Sequence, residues 1–268
     1  MKKILLILIV LISTSTQLFS QDIDFSFFPA KKIFSKSYAD AIEHQFSLNK
    51  NLETAQFFGN IGGYLPITNI TLNKKHTLQV TAAATVFNTL IISGKHIQVY
   101  TVDYLVDFYG DIEFRENSVF RFIWGHLSAH YADDGITELG YYPVSYVRDY
   151  CGIKLQQKFP ELNGKLYAGA QYNFHNEPRT DRHMTYTFGG DAAFKISNSF
   201  FLYGAVDIKV KSEVFFGTTQ SFQIGLRSKE VNGISFRLAY THRRGFEERG
   251  QIYTKKDIKN FVGFYFDF

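Results

Sequence analysis

His126, Ser128 and His130 alternate in one short run, Arg121-Phe-Ile-Trp-Gly-His126-Leu-Ser128-Ala-His130-Tyr-Ala-Asp133-Asp134. A serine between imidazoles, with carboxylates close behind, has the parts for acyl transfer: nucleophile, general base and orienting acid. In that scheme Ser128 attacks an ester, His126 or His130 takes its proton, and Asp133 or Asp134 orients the imidazole. Same-face neighbours on a strand lie about 6.6 Å apart at the backbone, so a serine–histidine hydrogen bond is within reach. The glycine-flanked serine turn of soluble hydrolases is missing. His126 and His130 are about 13 Å apart along a strand, too far to share an ion. No metal and no other cofactor is expected.

The elements that must position this run are strands. In 165–175, Leu166, Ala168, Ala170, Tyr172 and Phe174 alternate with Lys165, Tyr167, Gly169, Gln171, Asn173 and His175. The same two-faced pattern fills 77–86, 101–115, 200–211, 222–227 and 234–243. Strict alternation marks a strand with one apolar and one polar face. Most of these runs reach the roughly 9–11 residues that cross a bilayer as a tilted strand. Their polar faces carry full charges, which a packed soluble core does not accept and a barrel lumen does. Weaker strands at about 39–48, 54–65, 118–131, 144–158, 184–195 and 257–268 bring the expectation to twelve, an even number as a single-chain bacterial barrel requires. Asn163–Gly164 and Asn232–Gly233 read as short hairpin turns, with looser turns at Leu72–Lys75 and Ser197–Ser199. The expected fold is an all-β, single antiparallel transmembrane barrel over 38–268.

The front of the chain reads as an export signal. Lys2 and Lys3 precede an unbroken apolar run, Ile4 to Ile12, and Ser20 offers a small-residue cleavage point. Nine apolar residues fall well short of the roughly 20 that a spanning helix needs. A signal at 1–20 leaves 21–37 as an N-terminal periplasmic segment, aromatic at Phe25, Phe27 and Phe28. The remaining charge is 27 basic against 25 acidic residues, which gives no reason to expect a nucleic-acid partner. Cys151 is the one cysteine, so an internal disulfide is excluded. It shares the outward parity of Ile153 and Leu155. The 28 Phe and 17 Tyr suit walls that meet lipid on one side. The last strand ends Val262, Phe264, Phe266, Phe268, which fits the terminal aromatic signal read by the barrel-assembly machinery.

Within this frame the first cluster is out of place. Phe120, Phe122 and Trp124 are lipid-facing by parity, and His126, Ser128 and His130 share that parity. Imidazoles in hydrocarbon are costly. Either a bulge near Gly125 turns them inward, or this half of the strand has left the membrane. Around them an inward polar network is expected from Arg121, Tyr146, Arg148, Asp103, Asp107, Lys209 and Arg237. Arg148 is expected to reach Asp133 or Asp134 as a bidentate pair. Asp103, Asp107 and Asp111 are expected to pair with Lys209, Lys211, Arg227 and Arg237.

The segments H-x-S-x-H-x-x-D-D (126–134), S-Y-V-R-D-Y (145–150) and G-Q-I-Y (250–253), with T-V-D-Y at 101–104 and A-V-D at 205–207, fall in an order that resembles a family of bacterial outer-membrane proteins grouped as a domain of unknown function. The sequence departs from it with Ala129 where a second serine is expected and Asp134 in place of glutamate. The resemblance implies a barrel in the outer membrane, in contact with its lipid, and implies no activity. Three functions follow in order of expectation. The first is a barrel that is structural or passes small solutes. The second is a serine-type esterase of lipid or lipopolysaccharide. The third is an anchor or binding module for a partner, using 21–37.

Overall fold

The computed structural model describes residues 23–72, 76–139, 142–231 and 233–268. The expected export signal lies outside them, as do Asn232 of one hairpin turn and residues 73–75 of another. Alternation becomes strand almost everywhere it was expected: β2 (Phe46–Asn51), β3 (Gln56–Leu72), β4 (His76–Ser93), β5 (His96–Arg115), β6 (Ser118–Tyr131), β7 (Tyr146–Phe159), β8 (Gly164–Glu177), β9 (Met184–Lys195), β10 (Phe200–Lys211), β11 (Gly217–Ser228), β12 (Ser235–Phe246) and β13 (Lys256–Asp267). Each pairs antiparallel with the next, and β13 returns to β2 through Phe266↔Phe46 to Phe261↔Asn51. That last pairing closes the sheet. Of thirteen strands in the sheet, β1 (Ile23–Phe27) is additional and twelve form the wall.

The two faces divide as alternation requires. Phe122, Trp124, Leu166, Phe188, Leu238 and Phe264 are exposed on the outside. Asp111, Arg121, Lys165, Asp207, Lys209 and Arg237 are buried inside. An apolar exterior around a charged interior is the architecture of an outer-membrane barrel. One end carries the shorter turns, at 116–117, 160–163 and 196–199. Asn163, at φ 43°, closes a 3₁₀ turn over Pro160–Leu162 instead of the expected two-residue hairpin. The other end carries the two longest connections, 247–255 and 132–145 with α1 (Asp133–Leu139), beside the two-residue turn at 94–95.

The start of the barrel departs from expectation. β1 pairs with the far end of β3, Ile23↔Leu72 to Phe27↔Thr68, while β2 pairs with its near end, Ser47↔Asn60 to Lys50↔Phe57. Both strands lie on the same edge of β3, and residues 28–45 between them leave the wall and, from Phe34 onward, run largely buried through the lumen. The strand expected over 39–48 therefore begins only at Phe46. Residues expected to form a separate periplasmic segment instead supply β1 and the first part of this interior filling. The reason is chemical. The inward faces present buried Gln79, Thr85, Asp107, Gln156 and Lys209, whose polar atoms need partners once water is displaced.

Segment 28–45 supplies them. Gln79 accepts from Ile33 N (3.0 Å) and donates to Lys31 O (2.8 Å). Gln156 makes the same reciprocal pair with Ser35, at 3.0 and 2.9 Å. The Arg121 guanidinium lies over the rings of Phe34 and Tyr109, 4.0 and 3.9 Å from their centroids. Arg237, 0% exposed, holds Asp267 through Nε (2.6 Å) and Nη2 (3.1 Å) and also donates to Gln223 and Gln45.

Removing one member of such a buried set leaves the other uncompensated, at a cost of about 3–5 kcal/mol. Arg237→Met is expected to destabilise the full-length protein by that amount in denaturant titrations in detergent micelles. An unchanged midpoint would refute the assignment of Arg237 as a structural tie.

Candidate functional site: a filled lumen and an outward histidine row

At the long-loop end a second segment turns inward. Residues 247–251, between β12 and β13, are all buried. Gly250 N donates to Asp103 Oδ2 at 3.0 Å, and Gln251 exchanges hydrogen bonds with Val144 N and O at 3.0 and 2.7 Å. Lys209 joins the two inserted segments. It pairs with Asp40 from the N-terminal stretch, with Asp207 at 3.8 Å and with Glu248 at 3.6 Å. Between the insertions the lumen keeps cavities of about 80 and 20 Å³.

Each residue expected in the lumen network is buried there, and where a partner was expected a different one is found. Asp107 takes His44 Nε2 (2.8 Å), Tyr109 OH (2.6 Å) and Tyr150 OH (2.5 Å). Arg121 holds Asp111 in a two-pronged pair at 2.6 and 2.7 Å. Arg148 grips Glu213, from the turn after β10, at 2.8–3.0 Å, with Tyr146 OH on the same carboxylate at 3.4 Å. Asp133 and Asp134 do not reach Arg148. They open α1, where Asp134 Oδ2 accepts from Val99 N at 3.0 Å. The expected pairing of β5 aspartates with β10 to β12 cations does not form, because inserted segments stand between those walls.

The His-Ser-His run faces outward. β6 pairs without interruption with β7, Ser118↔Gln157 to Ala129↔Tyr146, so the bulge expected near Gly125 is absent. Gly125 instead lies against the buried Asp107 and Tyr150 side chains, where a Cβ would meet Asp107 Oδ1 at 1.9 Å. His126, Ser128 and His130 therefore continue the outer face of Phe122 and Trp124, toward the long-loop end. His126 lies directly across from Asp149, and Asp149 across from His175. His126 Nδ1 donates to Asp149 Oδ1 at 2.6 Å, and His175 Nδ1 to Oδ2 at 2.7 Å. One carboxylate thus orients two imidazoles, and each keeps Nε2 free of it. The histidine side chains are 46% and 52% exposed and the aspartate 29%. Ser128 stands two residues beyond His126 on this face, opposite Tyr104, whose ring meets His130 edge-on at 5.9 Å.

A bulge does exist, on β8. Asp149 pairs with His175 and the next residue, Tyr150, with Asn173, which leaves Phe174 as the extra residue. Phe174 and His175 consequently both point outward, whereas strict alternation placed His175 inside with Lys165. A bulge re-aims a side chain in this way. The carboxylate that reaches His126 is Asp149, while Asp133 and Asp134 lie in α1.

No protein-family model matches the chain, and no curated protein does. The resemblance carried by 126–134 gains no match there. Among solved structures, the chain is similar to a porin mutant from Rh. blastica (TM-score 0.33, 9% identity, 92% of this chain and 100% of that one). It is also similar to a Pseudomonas aeruginosa FadL homologue (0.34, 11%, 92% and 87%) and to a bacterial polysaccharide outer membrane secretin (0.30, 9%, 84% and 98%). At this level of similarity, function has to be argued from the chain's own geometry.

Glu248 offers a check on how the insertions are held. Burial alone would raise its carboxyl, but Lys209 and Lys211 outweigh burial and hold it at about 2, below its ordinary 4.5. A lowered folded-state value means stability present above the unfolded value and lost as pH falls toward the folded one. The stability advantage of the natural chain over Glu248→Gln is expected in full above pH 4.5 and to shrink as pH approaches 2. Thermal melts in detergent across that range measure it, and a pH-independent difference would contradict the ion pairing.

Proposed function

We propose that this chain resides in the bacterial outer membrane as a sealed barrel, and that its outer wall hydrolyses acyl esters of membrane lipid. The observation that carries this reading is the 2.6 Å hydrogen bond from His126 Nδ1 to Asp149, with Ser128 next on the same outward face. A carboxylate on Nδ1 fixes the tautomer that leaves Nε2 able to accept a proton, and it stabilises the imidazolium that forms. Ser128 Oγ attacks the ester carbonyl carbon while His126 Nε2 takes its proton. The same imidazole protonates the departing alcohol, and water then releases the acyl group by the reverse sequence. The Nε2 to Oγ hydrogen bond closes as substrate settles, since such contacts commonly tighten only in the substrate complex.

Several features support a lipid as substrate. The cluster continues the exposed apolar column of Phe122 and Trp124, so an acyl chain lying against that column brings its ester to the level of Ser128. The longer loops lie at this end, and in outer-membrane barrels the longer loops face outside, which gives the cluster the outer leaflet. The terminal strand, outward at Val262, Phe264 and Phe268, supports recognition by the barrel-assembly machinery. The filled lumen argues against solute passage.

A second reading makes the cluster a structural clamp at the membrane boundary. It is favoured by His175, since Asp149 satisfies two imidazoles and forms a complete polar set without Ser128.

Incubation of the detergent-solubilised protein with phospholipid mixed micelles separates the two. Release of fatty acid is expected, with Ser128→Ala abolishing it and Asp149→Asn reducing it by about 10²-fold or more. Equal rates for Ser128→Ala and the natural protein would sink the esterase reading. The seal is tested separately in planar bilayers. The natural chain is expected to be silent and a variant lacking residues 23–44 to conduct, whereas steady conductance of the natural chain would refute the seal.

A further inference from the structure

At the short-turn end, where segment 28–45 enters the lumen, a cavity of about 440 Å³ lies open. That volume is in the range of small-molecule sites. Six cations line it: Lys31, Lys32, Lys36, Lys158, Lys165 and Arg227, against the carboxylates of Asp191, Glu230 and Asp267. The acids are largely taken. Asp267 holds Arg237 and Lys36, and Asp191 holds Lys165.

The remaining cations are held by neutral acceptors. Lys32 Nζ donates to Phe268 O, Lys158 Nζ to Ile33 O at 2.7 Å, and Arg227 Nη1 to Tyr38 OH at 2.7 Å. Arg227 Nε is buried without a hydrogen-bond partner. Lys158 sits directly opposite Lys165 on β7 and β8, and Asp191 supplies a carboxylate to Lys165 alone, so Lys158 faces a like charge without an acid of its own. Burial and the neighbouring Lys36 together lower the Lys32 amine below its ordinary value, as expected where cations crowd in a concave wall. Phe34, Phe159 and Tyr38 add apolar and aromatic surface to the same cavity.

From this geometry we propose that the short-turn mouth is a binding site for a small soluble organic phosphate. Its phosphate oxygens are held between Lys158 and Arg227, with Lys31 and Lys32 at the entrance. Arg presents a planar fork that matches phosphate, and Lys a mobile point charge, so the mixture suits a multiply charged phosphate. The strands separate this cavity from the outer wall, which excludes a membrane-embedded headgroup. The site does not depend on the outward histidine row, and the two can fail separately. With the longer loops outside, the mouth opens to the periplasm.

Isothermal titration of the full-length protein in detergent with inorganic pyrophosphate, at physiological salt, tests the site. Saturable binding is expected, weakened about tenfold or more by Arg227→Gln or Lys158→Gln, as loss of a charge-assisted contact implies. Both positions lie on the wall, so heat-modifiable gel mobility must first show that each variant is folded. Lys31→Glu, on an exposed side chain outside the strands, keeps the test decisive if they are not, since it too is expected to weaken binding. Absence of saturable binding, or affinity unchanged in the folded variants, overturns the proposal. Tighter binding of citrate than of pyrophosphate overturns the phosphate assignment. Equal binding of short-chain phosphatidic acid micelles and pyrophosphate would overturn the exclusion of lipid.

Discussion

A closed sheet whose inner face is charged has to neutralise and hydrogen-bond that face, and the rest of this structure depends on how it does so. A twelve-stranded wall encloses more space than its own side chains can fill while satisfying each other across it. Arg121, Asp107, Lys209 and Arg237 are each under a tenth exposed, a state in which an uncompensated charge is prohibitive. The chain solves this with backbone as much as with side chains. Segment 28–45 brings main-chain N–H and C=O groups to Gln79 and Gln156, and 247–251 brings a main-chain N–H to Asp103. Lys209, touching Asp40 and Glu248, makes the two insertions a single filling.

That solution also explains the topology at the seam. β1 and β2 lie along one edge of β3 because the chain must leave the wall between them to reach the lumen. A continuous first strand over 39–48 would have kept Asp40, Glu43 and His44 in the wall and left Lys209, Tyr64 and Asp107 without the partners they have. Interior satisfaction and strand continuity compete at this point, and satisfaction wins.

The wall was legible in the sequence because alternation is local: each residue's face is set by its neighbours two positions away. Expected boundaries for β6 and β9 agree with those observed, 118–131 and 184–195. Partners in the lumen were not legible, because they depend on which strands face each other and on what lies between. Arg148 was expected to meet an aspartate close in sequence and instead meets Glu213, which the curvature of the wall brings to it. Residues 39–45 misled because a polar filling segment and a lumen-facing strand draw on the same residue types. His175 misled for a different reason, since one extra residue at Phe174 reverses parity and nothing in the local pattern announces it. Yet the departure that parity did reveal, polar His126 on an apolar face, marked the row where Asp149 and His175 meet.

The same chemical pair occurs on both sides of the wall, and its two settings differ in what the second ring nitrogen can meet. His44 and Asp107 form a histidine–aspartate pair at 2.8 Å, as close as His126 and Asp149 at 2.6 Å. In the lumen pair the second ring nitrogen is already engaged by the Thr85 hydroxyl at 2.9 Å, and the rings of Tyr64 and Tyr109 close over the imidazole. At 1% exposure it is closed to any reactant. In the outer pair the second nitrogen is free of Asp149 and the side chain is nearly half exposed, with a hydroxyl two residues away. A carboxylate-oriented imidazole becomes a general base only where one nitrogen remains for a substrate proton. The filling of the lumen and the opening of the outer row are two sides of one arrangement, which pairs the polar groups inside with one another and leaves His126 and His175 exposed on the outer face.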